Sequence, residues 1–264
     1  MIGDILRVLG TDLAVVLVAA VLLWLISVRM SDPSFVDACW GLGFVVVAIV
    51  SFLITDGEGV RRSLLLALPV VWGLRLGLSL LWRWRREGPD RRYQSMLRRA
   101  PGNPPLFTLQ KVFGLQAVLL WLVSWPIQIG QAAPARTESV ALWVGVVLAV
   151  VGIAFESIGD LQLVRFRADP RNKGKVLDRG LWRYTRHPNY FGDTCFWWGV
   201  GLVAIGHPIT LIALVGPAAM TYLLLKWSGV VVLERHLHRA KPAYAAYAAR
   251  TSAFVPRPPR PSAG

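Results

Sequence analysis

The sequence predicts an all-α, polytopic membrane protein with seven transmembrane helices. Three observations predict it. Hydrophobic residues make up 55% of the 264 residues and the mean hydropathy is +0.49, too apolar for an ordinary soluble domain. Apolar runs long enough to cross roughly 30 Å of hydrocarbon as a helix recur along the chain. The net charge of +14 falls in alternate loops rather than evenly.

The expected spans are about 11–29, 37–55, 63–82, 112–131, 139–158, 190–206 and 208–230. The first is long and lacks a small-residue cleavage pattern, so it reads as a retained span and not a signal peptide. The second opens on Asp37 and the third carries Arg75. Pro101, Pro104 and Pro105 break the chain ahead of the fourth. The fifth ends near Glu156 and Asp160, and the sixth follows Pro188. Only Gly206, His207 and Pro208 separate the last two. Beyond them, residues 231–255 form a basic amphipathic segment, with Leu233, Leu237, Tyr244 and Tyr247 able to face bilayer or protein. The proline-rich stretch 256–264 reads as a frayed tail. The chain is expected to be one domain, 1–264, without internal repeats.

In a soluble protein this charge would suggest nucleic acid. Here it follows topology. The 83–111 and 159–189 loops each carry eight Lys or Arg and the segment from Lys226 carries seven, against Arg7, Arg61, Arg62 and Arg136 on the other side. The positive-inside rule puts the C-terminus in the cytoplasm and the N-terminus outside. No nucleic-acid partner and no obligatory protein partner are expected, only the bilayer and a small molecule. Cys39 and Cys195 lie in apolar runs and read as core residues. His236 and His238 lack further ligands at suitable spacing, so no metal site is expected.

Ionisable residues within or at the ends of spans are functional candidates. Here they are Asp37, Arg75, Glu156, Asp160, Asp193 and Glu234, near the cytoplasmic ends, where a polar pocket opening to the cytoplasm would gather them. The alternative is interfacial solvation or mutual pairing. Asp37, Gly41 and Phe44 share one helix face, and glycine there admits another backbone or a flat ligand. Arg75 is the natural partner for Asp37, either as an inert ion pair or beside a carboxyl that acts on substrate.

The run "GLWRYTRHPNYFGD" (Gly180–Asp193) is the densest motif. Pro188 suits the first turn of a helix, whose free N–H groups favour an anion. Asn189 and Asp193 then share a face beside Gly192. Arg183, Arg186, Lys175, Arg179, Arg165, Arg167, Arg171 and Lys173 surround it. The positive-inside rule explains the number of cations but not Asn189, Asp193, Tyr184 and Tyr190 among them. No G-x-G-x-x-G is present.

"NKGKVLDRGLWRYTRHPNYFGD" and "ERHLHRAKPAYAAYAARTSAFVP" resemble the C-terminal half of the steroid 5-alpha-reductase superfamily, and "SFVDACWGLGF" resembles the second span of its bacterial membrane branch. Isoprenylcysteine carboxyl methyltransferases share an arginine-histidine-proline-x-tyrosine version of the first motif. The resemblance implies a membrane reductase, in a bacterial inner membrane, that binds NADPH through its cytoplasmic loops and reduces a membrane-soluble enone. Asn189 and Asp193 match nicotinamide-side contacts, and Asp160, Arg167 and Lys175 match dinucleotide contacts. Glu156 stands where the steroid enzymes have asparagine. The implied cofactor set also takes in Arg171, Arg183, Tyr184, Arg186, His187, Tyr190, Glu234, Arg235, Tyr244 and Tyr247. Asp37 falls near the family's catalytic glutamate. The family's tyrosine aligns with Trp72, which has no phenol to offer, so Tyr93 or Tyr190 is the candidate substitute. A protonated Asp37 would support charge on the carbonyl oxygen, with Arg75 close by. Asp37, Arg75 and Tyr93 form the expected catalytic set. The alternatives are an S-adenosylmethionine-dependent methyltransferase acting on a lipid or lipidated substrate, and a non-enzymatic scaffold or transporter.

Overall fold

A computed structural model describes residues 1–56, 58–134, 139–227, 229–230, 233–235, 237 and 243–260. Among these, regular structure is helical, apart from an isolated bridge between Thr185 and Ser252. The helices are α1 (Ile2–Met30), α2 (Val36–Ile54), α3 (Val60–Glu87), α4 (Arg91–Arg98), α5 (Pro104–Thr108), α6 (Leu115–Val123), α7 (Trp125–Ala132), α8 (Val140–Ala168), α9 (Pro188–Ala204), α10 (Val215–Tyr222) and α11 (Tyr244–Arg250). Among the described residues, six helical segments are long and apolar enough to cross a membrane: Ile2–Met30, Val36–Ile54, Val60–Glu87, Pro104–Val123, Val140–Ala168 and Pro208–Trp227. An integral membrane protein follows from their length and composition. The sixth expected span forms α9, of 17 residues.

The differences from expectation have local causes. α3 runs on through Arg85 and Arg86, which suit the negative end of its dipole, and stops at Gly88 with φ 76°. The 83–111 loop contains α4, capped by Asp90, whose side chain accepts from Arg92 N. The expected 112–131 span is not one helix. A π-helical turn, Leu109–Gly114, leads into α6, and the chain breaks at Ser124 ahead of Pro126 before α7. A π-turn in a helix often marks a functional position, and Gln116 lies just beyond this one. α8 continues to Ala168, well past the expected end of its span.

The chain divides into two compact units, Met1–Trp143 with Val200–Gly216, and Val144–Gly199 with Pro217–Gly264. In the first, α2 and α3 meet backbone to backbone. A Cβ on Gly41 would lie 2.6 Å from the Gly73 carbonyl oxygen, and one on Gly73 would lie 2.5 Å from that of Gly41. Phe44 packs edge-on to Trp72, centroids 5.6 Å apart. The Gly41 and Phe44 part of the Asp37–Gly41–Phe44 face is therefore occupied by α3 rather than by a ligand. α7 touches α1, α2 and α3.

In the second unit, α8 and α9 meet in the same way. A Cβ on Gly192 would lie 2.6 Å from the Gly152 carbonyl oxygen and 2.7 Å from Glu156 N. Gly192 thus makes room for α8 and not for a cofactor. The C-terminal segment is docked, not frayed, through Arg260. Arg257 N donates to the Tyr184 carbonyl and Arg186 N to that of Ser252, while Thr185 Oγ1 donates to that of Phe254.

Gly192→Leu should drive a side chain into the α8 backbone. Overpacking costs roughly 1–3 kcal/mol or more, so the melting temperature in detergent should fall clearly. Gly10→Ala, where a Cβ meets nothing within 4 Å, should leave it unchanged or slightly raised.

Candidate active site

The first polar group is built where α1 gives way to α2. Asp32 Oδ1 accepts from Ser34 N (2.8 Å) and Ser34 Oγ (2.6 Å), and its Oδ2 accepts from Trp84 Nε1 (3.0 Å). Ser34 Oγ in turn accepts from Asp90 N (3.2 Å), which sets the cap of α4 against the start of α2. The second and third residues of α4 reach Asp37. Tyr93 Oη donates to Asp37 Oδ1 at 2.6 Å, and Arg92 Nη2 lies 3.2 Å from Asp37 Oδ2 and 2.8 Å from Asp90 Oδ2. Gln116 Nε2 donates to Tyr93 Oη at 3.2 Å.

Burial, followed by the charge of Asp37, raises the Tyr93 phenol well above its ordinary value. Tyr93 therefore holds its proton at any physiological pH. Beside this group lies an apolar crevice of about 70 Å³, lined among others by Ala20, Leu23, Cys39, Gln116 and Leu120.

Of the expected catalytic set, the structure joins Asp37 to Tyr93. Arg75 sits half-buried on α3 and does not join Asp37, whose carboxylate is held by Arg92 and Tyr93 instead. Arg92 and Gln116 were not singled out from sequence. Arg92 hid among the loop arginines, and nothing in an apolar run sets one glutamine apart.

The second group belongs to the other unit. A cavity of about 360 Å³ is walled by Leu163, Phe166, Trp182, Leu233, Leu237, Tyr244 and Tyr247, with Arg167, Asp169, Asn172, Lys173 and Arg186 as its polar lining. Leu163, Phe166, Arg167 and Pro170 follow helical spacing off the end of α8. Gln162 and Gly159 of that helix hold the next turn. Leu181 N donates to Gln162 Oε1 at 3.0 Å and Trp182 Nε1 to the Gly159 carbonyl at 3.1 Å. Gly180, with φ 62°, sits where a Cβ would collide with Gln162. Tyr247 Oη donates to the Trp182 carbonyl at 2.5 Å.

Arg186 is not a free phosphate ligand. Its Nε and Nη2 donate to the two carboxylate oxygens of Glu234 (2.7 and 3.0 Å), and its Nη1 donates to the carbonyls of Ala248 and Thr251 (2.7 and 3.2 Å). His187 Nε2 lies 3.0 Å from Glu234 Oε1, so the ring carries its proton there. The His187 ring stacks on Tyr190 at 5.4 Å. Burial holds the His187 pKa below its ordinary value, with Glu234 opposing. Burial pushes the Tyr244 phenol up to about 12.

Among the remaining candidates, Arg171 is exposed and pairs with Asp169 at 3.2 Å. Lys175, Arg183, Tyr184 and Arg235 are exposed. Glu156 and Asp193 are buried, and Asp160 and Asn189 half-buried. None of these lines the cavity. Phe166, Trp182 and Asn172 do line it and were not singled out; their helical spacing from Leu163 and the tryptophan inside the motif were the available signals. Groups of three or more metal-ligating side chains do not occur among the described residues, while His236 and His238 lie outside them.

Residues 23–251 match the family described as proteins of unknown function, DUF1295. The chain belongs to the DUF1295 family. This is a steroid 5-alpha-reductase-like family, as the motif resemblance implied. No curated protein and no solved structure matched the chain.

In this DUF1295 protein, Glu234→Gln should release the C-terminal segment. Each charged hydrogen bond lost costs about 1.5–3 kcal/mol, so trypsin should cut after Arg250 much faster than in the parent. His187 titrates below its ordinary value of 6.5 in the folded chain. The unfolded chain then takes up the proton first on acidification. Stability is full above about pH 6.5 and declines as pH falls towards the folded value. A melting series from pH 7.5 to 5 should show that decline, and His187→Asn should flatten it.

Proposed function

We propose that this protein is an NADPH-dependent reductase of a carbon–carbon double bond conjugated to a carbonyl, in a membrane-soluble substrate. The observation that carries the reading is the 2.6 Å hydrogen bond from Tyr93 to Asp37. It supplies a tyrosine–carboxylate pair, which the resemblance implies and which Trp72 cannot complete. NADPH, when bound, supplies the hydride for the β-carbon.

The work of the protein's own groups follows from their geometry. Tyr93 stays protonated, and without substrate its one hydroxyl hydrogen goes to Asp37; on substrate binding the hydroxyl turns to donate to the oxygen that gains charge, in the manner of an oxyanion hole. Asp37 and Gln116 hold the Tyr93 oxygen in place until substrate arrives, and Arg92 holds Asp37. In the other unit, Arg167 and Lys173 offer charge to phosphates, while Phe166, Trp182, Tyr244 and Tyr247 offer flat faces to nucleotide rings. These residues suit a nucleotide. Arg186, His187 and Glu234 act on it indirectly, by holding the C-terminal segment that forms part of the wall.

We further propose that α9 completes seven crossings, with the N-terminus outside, in a bacterial inner membrane, and that the chain is a bacterial member distantly related to isoprenylcysteine carboxyl methyltransferases. A second reading has its own support. The cavity of about 360 Å³ lies near the small end of ligand pockets, which favours a compact cofactor such as S-adenosylmethionine and methyl transfer.

Purified protein in detergent should be stabilised by NADPH and not by S-adenosylmethionine, following RT ln(1 + [L]/Kd). Tyr93→Phe should lower enone-dependent NADPH oxidation by roughly 10²-fold or more with NADPH affinity unchanged, whereas Arg167→Ala should weaken NADPH about 10- to 150-fold. Stabilisation by S-adenosylmethionine alone overturns the reductase in favour of the methyltransferase.

A further inference from the structure

Asp37 stands at one end of α2. A second buried polar cluster stands roughly 20 Å away along the same helix, at 1.5 Å per residue. There Ser51 Oγ donates to Asp12 Oδ2 at 2.6 Å and Thr55 Oγ1 to the Ser51 carbonyl at 2.7 Å. Arg62 caps the helix by donating to the carbonyls of Phe52 and Thr55, and its guanidinium lies over the Phe52 ring at 4.1 Å. Gln131 Nε2 donates to the Arg62 carbonyl at 3.1 Å.

Arg61 has no such role. It is only 5% exposed, and its Nε, Nη1 and Nη2 meet no acceptor among the described residues. The guanidinium lies against Gly206, where any Cβ would collide with it. A guanidinium does not shed its proton to escape burial. Left without an anion it is among the most expensive groups a fold can hold.

Two features of the same place point to what meets it. Arg61 belongs to the first turn of α3, a helix of 28 residues whose Gly59 cap makes no side-chain hydrogen bond. That leaves the first-turn N–H groups and the positive end of a long dipole for an anion. Gln131, which donates to the Arg62 carbonyl in the same turn, also has a buried Oε1 that receives no donor among the described residues. Three guanidinium nitrogens and a helix turn offer more donors than two carboxylate oxygens can take.

We propose that Arg61 and the first turn of α3 form an anion site for a phosphate group, inorganic or carried by a lipid headgroup. The site is separate from the Asp37–Tyr93 pair and does not depend on the reductase reading.

Thermal unfolding in detergent, with inorganic phosphate compared with chloride at equal ionic strength, tests it. Phosphate should raise the melting temperature of the parent, and Arg61→Gln should weaken phosphate at least tenfold, as expected for loss of a charge-assisted contact. Gly206→Ala keeps the arginine but removes its seat, and should lose the response too; it carries the comparison should Arg61→Gln not fold. Protein released from nanodiscs of phosphatidylglycerol or phosphatidylcholine is then weighed by native mass spectrometry. Phospholipid retained by the parent and lost from Arg61→Gln assigns a headgroup, whereas a response to inorganic phosphate alone assigns the free ion. Equal behaviour of parent and variants in both assays overturns the site. So does a phosphate-free loss of stability in Asp56→Asn/Glu58→Gln as large as that of Arg61→Gln, because Arg61 would then pair with the chain's own loop.

Discussion

A polar group taken out of water inside an apolar helical protein must be met by another polar group of the same protein, and most of this fold's specificity follows from that constraint. Asp37 is met by Tyr93 and Arg92, Arg186 by Glu234 and two carbonyls, and Asp12 by Ser51. Each of these meetings joins segments far apart in sequence. Each therefore also decides where a helix or a loop is held. The pairing of α4 with the start of α2 comes from Asp32 and Ser34, whose side chains bond to each other, and from the Asp90 backbone N–H, which donates to Ser34 Oγ.

Glycine supplies the complementary constraint. Where α2 meets α3, and α8 meets α9, the backbones are close enough to exclude a Cβ. Van der Waals contact between main chains is a main source of helix association where there is no water to expel. It also leaves no room for a ligand on those faces. Open space appears instead where helices end and loops fold back, as a crevice of about 70 Å³ beside Gln116 in one unit and a cavity of about 360 Å³ beneath Tyr244 and Tyr247 in the other.

Several residues with an obvious chemical label turn out to have structural work. Arg186 and His187 sit in the densest motif of the chain, yet their hydrogen bonds go to Glu234. Tyr93 lies in a loop crowded with arginine, yet it is the phenol that reaches Asp37. An arginine count describes which side of a membrane a loop prefers; it does not say which arginine has a carboxylate within reach.

The sequence by itself determined the membrane class, the start of α9 at Pro188, the limits of α2, and Asp37 as a candidate. Those rest on hydropathy, on the fixed φ of proline and on the cost of an intramembrane carboxyl, all of which are local. Tertiary structure decided that Asp37 pairs with Tyr93 and Arg92 and not with Arg75, that the Gly41 and Gly192 faces hold helices, and that Leu233, Leu237, Tyr244 and Tyr247 face a cavity. It also decided that the segment up to Arg260 is docked and that Arg61 is buried without a partner among the described residues. The physical reason is that a hydrogen bond needs its atoms within about 3 Å, and residues 56 or 48 positions apart, as Tyr93 is from Asp37 and Glu234 is from Arg186, reach that distance only once the helices between them have packed.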